Sequence, residues 1–73
     1  MNLKNKIIII TGGSGLLGKE IIKRLLDNDA TVINFDINSS SCINSEFINC
    51  NITDEYSIKK SFNSVIKKYG RID

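Results

Sequence analysis

Residues 6–18 constrain this chain more than any other stretch: Lys6, four isoleucines (Ile7 to Ile10), Thr11, the cluster Gly12-Gly13-Ser14-Gly15, then Leu16-Leu17-Gly18. The β-branched run is continuous rather than alternating. It therefore predicts a strand buried on both faces, the kind found in parallel sheets covered by helices. The glycines that follow predict a turn. A helix is expected from near Gly15 to about Asn28, because Leu17, Ile21 and Leu25 recur every four residues with Ile22 and Leu26 beside them. Lys19, Glu20, Lys23, Arg24 and Asp27 fall mostly outside that stripe.

The pattern then repeats. Thr31 to Asp36 reads as a second strand with an acidic residue at its C-terminal end, and Glu46 to Cys50 as a short third. The polar stretch Asn38–Ser45 between them reads as a loop. A second helix is expected from about Asp54 to Tyr69, capped by Thr53 or Asp54. Ile58, Phe62, Val65, Ile66 and Tyr69 give it a helical stripe, and Lys67 and Lys68 suit the negative end of its dipole. Gly70 is placed to terminate it. Arg71-Ile72-Asp73 looks like the approach to another strand. Strand, helix, strand, loop, strand, helix implies an α/β unit. The expected fold is a partial Rossmann arrangement, a doubly wound parallel sheet with three parallel strands and flanking helices, truncated before the fourth strand. One feature strains this reading. Parallel neighbours need a crossover of about a dozen residues, and Ile37 to Ser45 supplies nine. The usual helix there is expected to be reduced to a turn or lost.

At 73 residues the chain allows one small unit, with a core that contributes little net stability by itself. Apolar residues make up 41% and charged residues 25%, an ordinary globular balance. The net charge is +2, and residues 1–36 and 37–73 each carry five Lys/Arg against four Asp/Glu. No basic run points to nucleic acid or membrane. Ile7–Ile10 is too short for a signal-peptide core or a membrane span, so the expected compartment is the cytoplasm. Cys42 and Cys50 fit neither a metal motif nor a redox pair, and the chain has no His, so no metal is expected.

The chemistry lies in the glycines. Gly13, Gly15 and Gly18 satisfy G-x-G-x-x-G between a buried strand and a helix. In that context an early glycine turns the chain off the strand and a middle one lets backbone N–H groups approach a pyrophosphate. The last lets helix and strand pack closely. The helix N-terminus adds free N–H groups and a positive dipole end. Asp36, 18 residues after Gly18, can accept hydrogen bonds from adenosine ribose hydroxyls. It would repel a 2′-phosphate, and residues 37–45 contain no Arg or Lys to offset it, which favours NAD over NADP. A P-loop reading of Gly13-x-x-x-x-Gly18-Lys19 fails at Glu20, where a Ser or Thr hydroxyl is required.

At this point the sequence resembles the short-chain dehydrogenases/reductases. Thr11-Gly12-x-x-Gly15-x-x-Gly18 looks like that family's cofactor motif, in the spacing common to its extended branch and some divergent members. Asn51-Ile52-Thr53-Asp54 resembles the stretch after the third strand that touches adenine, with Asn51 where the family usually has Asp. An amide oxygen at Asn51 can still accept from the adenine amino group. Lys68 to Asp73 is similar to the family's run into its fourth strand. The resemblance and the motif together nominate Gly12, Ser14, Gly15, Leu16, Leu17, Gly18, Asp36, Asn51 and Ile52 as cofactor-binding residues. They imply that residues 1–73 are the N-terminal part of one NAD(P)-binding Rossmann domain. Family members transfer hydride between NAD(P) and an alcohol or carbonyl, or epimerise or dehydrate nucleotide-linked sugars, and are usually homo-oligomeric. Their Tyr-x-x-x-Lys pair and Ser fall outside this stretch. Tyr56 and Lys60 match that spacing literally but belong to the second helix, so no catalytic residue is expected here. The implied function is an NAD(P)-dependent oxidoreductase. A non-catalytic nucleotide-binding remnant and the start of a nucleotide-sugar epimerase or dehydratase are the alternatives.

Overall fold

The computed structural model describes residues 2–38 and 44–73. Strand β1 (Ile7–Thr11) leads into helix α1 (Leu16–Asp27), strand β2 (Thr31–Asp36), strand β3 (Glu46–Asn49) and helix α2 (Glu55–Tyr69). The three strands form one parallel sheet in the order β1-β2-β3. Ile7 pairs with Thr31 through to Thr11 with Phe35, and Ile33 pairs with Glu46 through to Asp36 with Asn49. The expected α/β architecture is therefore present. The crossover that brings β3 beside β2 includes residues 39–43, so the expected loss of its helix lies outside the described residues, as does Cys42.

The isoleucine run is explained by burial on two faces. Ile7 and Ile9 join Ile33, Phe35 and Cys50 under α2, against Val65, Ile58 and Tyr69. Ile8 and Ile10 lie with Val32 and Ala30 under α1, against Ile22, Leu25 and Leu26. Strand side chains alternate faces, so a strand covered by a helix on each side favours apolar residues at both phases, and a polar one there needs hydrogen-bond partners. Burying each of the larger side chains contributes roughly 1.5–3 kcal/mol. Phe35 also meets Phe62 edge-to-face, with ring centroids 5.4 Å apart and planes at 79°.

The helix stripes pack differently from their sequence spacing. On α1 the buried residues are Gly18 and Ile22, while Leu17 and Ile21 are exposed. The core side is thus one residue round from the Leu17-Ile21-Leu25 line. Gly18 fixes that rotation, because its bare Cα sits directly on the glycine bend. On α2, Ser61 and Val65 are buried and Ile58 and Tyr69 half-buried, with Phe62 and Ile66 on the flank. Ser61 is accommodated because its hydroxyl donates to the Ser57 carbonyl at 2.8 Å.

The ends of the helices follow local chemistry. Asp54, not Thr53, caps α2, its carboxylate accepting from the Tyr56 N–H at 3.1 Å. Gly70 ends it at φ 79°, a left-handed conformation that favours glycine. Beyond Gly70 the chain turns onto the outer side of β1. The Asp73 N–H donates to the Ile7 carbonyl at 2.8 Å, and the Asp73 carboxylate accepts from the Ile7 N–H at 2.9 Å.

Candidate functional site

Parallel strands carry their ligands at the C-terminal ends. Here those ends are Thr11, Asp36 and Asn49, and the segments leaving them form the site. Gly12 has φ 69° and makes the sharp turn off β1, so the turn belongs to Gly12 rather than to Gly13. The bend is then held by hydrogen bonds. The N–H of Gly12 donates to the Phe35 carbonyl at 3.0 Å and that of Gly15 to the Gly12 carbonyl at 3.2 Å. The Gly13 N–H donates to Asn34 Oδ1 at 2.9 Å, and the Ser14 N–H to Asp36 Oδ2 at 3.1 Å. Every backbone donor from residue 12 to residue 15 is thus engaged within the protein.

The donors without an intrahelical partner are those of the first helical turn, Leu16, Leu17 and Gly18, which precede the first i→i−4 bond, from the Lys19 N–H to the Gly15 carbonyl. Gly15 is the N-cap, and no side chain caps this end. The three motif glycines have separate roles. A Cβ at Gly18 would lie 2.7 Å from the Gly13 Cα, inside the bend, whereas a Cβ at Gly15 would meet only the Gly12 carbonyl oxygen at 3.6 Å. Gly18 serves helix packing, and Gly15 keeps open the space in front of the free amides. Leu16 and Leu17 are 88% and 74% exposed beside that space.

Asp36 sits at the end of β2 with both carboxylate oxygens engaged. Oδ2 accepts from Ser14, and Oδ1 accepts from the N–H groups of Ile37 at 2.7 Å and Asn38 at 3.2 Å. The amides of Asn38 and Ser14 hold its pKa below the usual carboxylate value, so it is ionised at neutral pH. Next to it opens a cleft of about 250 Å³, lined by Gly12, Phe35, Asp36, Ile37, Cys50, Asn51, Ile52 and Thr53. Ile37 and Ile52 are 62% and 55% exposed and give the cleft an apolar rim. The fold therefore gathers Gly12, Asp36, Asn51 and Ile52 around one cavity, with Ser14 to Gly18 adjoining it. Asn51 is committed locally. Its Oδ1 accepts from the Thr53 N–H at 3.0 Å and from the Thr53 hydroxyl at 2.6 Å. Cys50 is a free, buried thiol in the cleft wall.

Sequence reasoning missed Asn34. It is fully buried, accepts from Gly13 and donates through Nδ2 to Ser14 Oγ at 3.1 Å. Nothing in the β2 sequence marks it, because its partners are 20 and 21 residues away and meet it only through β1–β2 pairing. Tyr56 lies exposed on the first turn of α2, away from the cleft lining. No helix among the described residues is long and apolar enough to cross a membrane.

A parallel sheet covered on both faces, with a glycine bend opening a helix at its C-terminal edge, defines a Rossmann-type unit. The profile of the short chain dehydrogenase family matches residues 6–73, and this chain belongs to that family. It is 31% identical over 80 residues to short-chain dehydrogenase reductase 4 of Arabidopsis thaliana, an alignment covering 97% of this chain and 27% of that protein. Among solved structures, a C-terminal deletion mutant of the aldohexose dehydrogenase of Thermoplasma acidophilum superposes with a TM-score of 0.92 at 31% identity, covering 97% of this chain and 31% of that one. A short chain dehydrogenase from Leptospira borgpetersenii with bound NAD+ superposes with a TM-score of 0.87 at 32% identity, covering 99% and 30%. The chain thus spans about a third or less of the length of the relatives it matches.

Proposed function

We propose that this chain is the N-terminal, cofactor-binding part of a single Rossmann domain in an NAD(P)-dependent oxidoreductase, with NAD as the preferred cofactor. The observation that carries this reading is the cavity that unites Gly12, Asp36, Asn51 and Ile52 beside a helix end whose first amides have no intrahelical partner. A dinucleotide needs those two features next to each other. Its adenine suits the apolar rim of Ile37 and Ile52, and its diphosphate suits the Leu16 and Leu17 amides across Gly15. Asn51 Oδ1 is engaged by Thr53, so the adenine contact falls to Nδ2, which can donate to a ring nitrogen.

Asp36 supports NAD. Its oxygens retain lone-pair capacity for a ribose hydroxyl, and its negative charge opposes a 2′-phosphate. No lysine or arginine occurs from Ile37 to Ser45 to neutralise one. Once bound, the nicotinamide supplies hydride chemistry at carbon. This part of the domain binds and orients the cofactor. Substrate recognition and proton transfer belong to elements that follow it.

Gly15→Ser in the intact protein separates folding from ligation. Gly15 has φ −77° and ψ 172°, which serine adopts readily, and a serine N-cap bonds the Leu17 or Gly18 amide and fills the same helix end that a phosphate would use. The substitution should leave the melting temperature equal or higher while NAD affinity, read by titration calorimetry, falls at least about tenfold. Undiminished NAD binding, or equal affinity of the unmutated protein for NAD and NADP, would overturn the corresponding part of the proposal.

A further inference from the structure

Asn34 is a fully buried amide in the middle of a central strand, where the neighbouring positions are Ile33 and Phe35. The Gly13 N–H can only donate, so the carboxamide oxygen must face it, and Nδ2 must face Ser14. The Ser14 hydroxyl therefore accepts from Asn34 and sends its own proton to the Asn38 carbonyl. Two residues along the same strand face, Asp36 takes the Ser14 N–H. Strand β2 thus grips two consecutive amides of the glycine bend, one with each side chain.

Position 13 corroborates this. The family motif leaves it open, yet here a Cβ would lie 2.6 Å from Asn34 Cγ and 2.7 Å from Ile22 Cδ1. Gly13 does not have a positive φ. Glycine is required there by the amide beneath it, so residues 13 and 34 are a matched pair.

We propose that Asn34 is a positioning residue for the cofactor diphosphate: it fixes the Gly12–Gly13 peptide and the Ser14 hydroxyl so that the first-turn amides of α1 stay aimed across Gly15. This rests on the dinucleotide reading above. With Asn34 removed, that peptide plane is free to turn, and the Gly13 N–H has no acceptor in a buried setting.

The test measures ADP and adenosine binding by the intact protein and two variants. Asn34→Ala should weaken ADP binding about tenfold and leave adenosine binding within about twofold, because only the diphosphate lies over the bend. A purely structural role would reduce the number of active sites and affect both ligands alike. Gly13→Ala/Asn34→Ala guards against simple misfolding. The alanine methyl fills part of the volume vacated by the amide, but the residue 13 N–H still lacks its acceptor and Ile22 Cδ1 must turn aside, so this variant should still melt cooperatively, below the unmutated protein, while ADP binding stays weakened. Recovery of ADP affinity in the double variant, or full ADP affinity in Asn34→Ala, would overturn the inference. An unmutated protein that binds neither ADP nor NAD would instead overturn the cofactor reading on which it depends.

Discussion

Gly15 and Gly18 stand three residues apart in one motif and answer to different physics. Gly18 is closed in by the backbone of Gly13, with a Cβ position 2.7 Å from its Cα and 3.0 Å from its carbonyl carbon. Backbone cannot swing aside as a side chain can, so Gly18→Ala should destabilise the intact protein by roughly 1–3 kcal/mol, measured as a lower urea midpoint. An unchanged midpoint would mean that α1 can back away from the bend. The division of labour was partly legible in the sequence, since glycines at 12, 15 and 18 between an apolar run and a helix have few other uses. The role of Asp36 was legible as a carboxylate at a strand end. That it also clasps the Ser14 amide was not, because that bond depends on how the bend leans over β2, whereas its bonds to the Ile37 and Asn38 amides are local to the strand end. Asp36→Ala is for that reason a poor isolated test of cofactor preference: it also releases the bend.

Among the elements, α2 is fastened to β3 by one carboxylate. Glu46 Oε1 accepts from Lys68 Nζ at 2.7 Å and from the Tyr69 hydroxyl at 2.6 Å. Lys68 and then Tyr69 hold the Glu46 pKa below its usual value. Lys68 and Tyr69 are held above theirs, chiefly by their bonds to Glu46. A depressed folded-state carboxylate contributes stability above the unfolded pKa, and that contribution is lost as the pH falls through the folded value. The lysine itself is largely exposed, so solvent screening keeps the staple to a small contribution. Glu46→Gln should cost that small amount at neutral pH and progressively less in acid, as the pH falls through the folded-state value and the carboxylate protonates. Urea melts at neutral and acid pH check it, and an equal penalty at both would show that charge plays no part. The boundaries of α1 and α2 followed from caps and periodicity. Their rotation did not: Leu17-Ile21-Leu25 and Gly18-Ile22-Leu26 have the same spacing, and only the contact of Gly18 with the bend chooses between them.

For the whole molecule, the sheet is covered on both faces and β1 lies at one side of it. The outer side of β1 is engaged at Ile7 by Asp73. Leu17, Ile21, Phe62 and Ile66 leave apolar surface on both helices. A strand edge of this apolar character, joined to such surface, favours association. Residues 1–73 produced alone are therefore expected to self-associate and to bind NAD weakly or not at all, as read by light scattering and calorimetry. A monomeric species with a cooperative melt would contradict this.

The amino-acid sequence by itself determined the strand and helix order, the parallel sheet and the glycine bend, because buried runs, caps and glycines act over a few neighbouring residues. It also placed Asp36 at a strand end. Only the tertiary structure decided that Asn34 lies beneath Gly13, that Asp36 closes on Ser14, and that Asn51 turns its oxygen to Thr53. The first two contacts span more than twenty residues and exist only once β1 and β2 pair in register. The third depends on the turn that leads from β3 into α2.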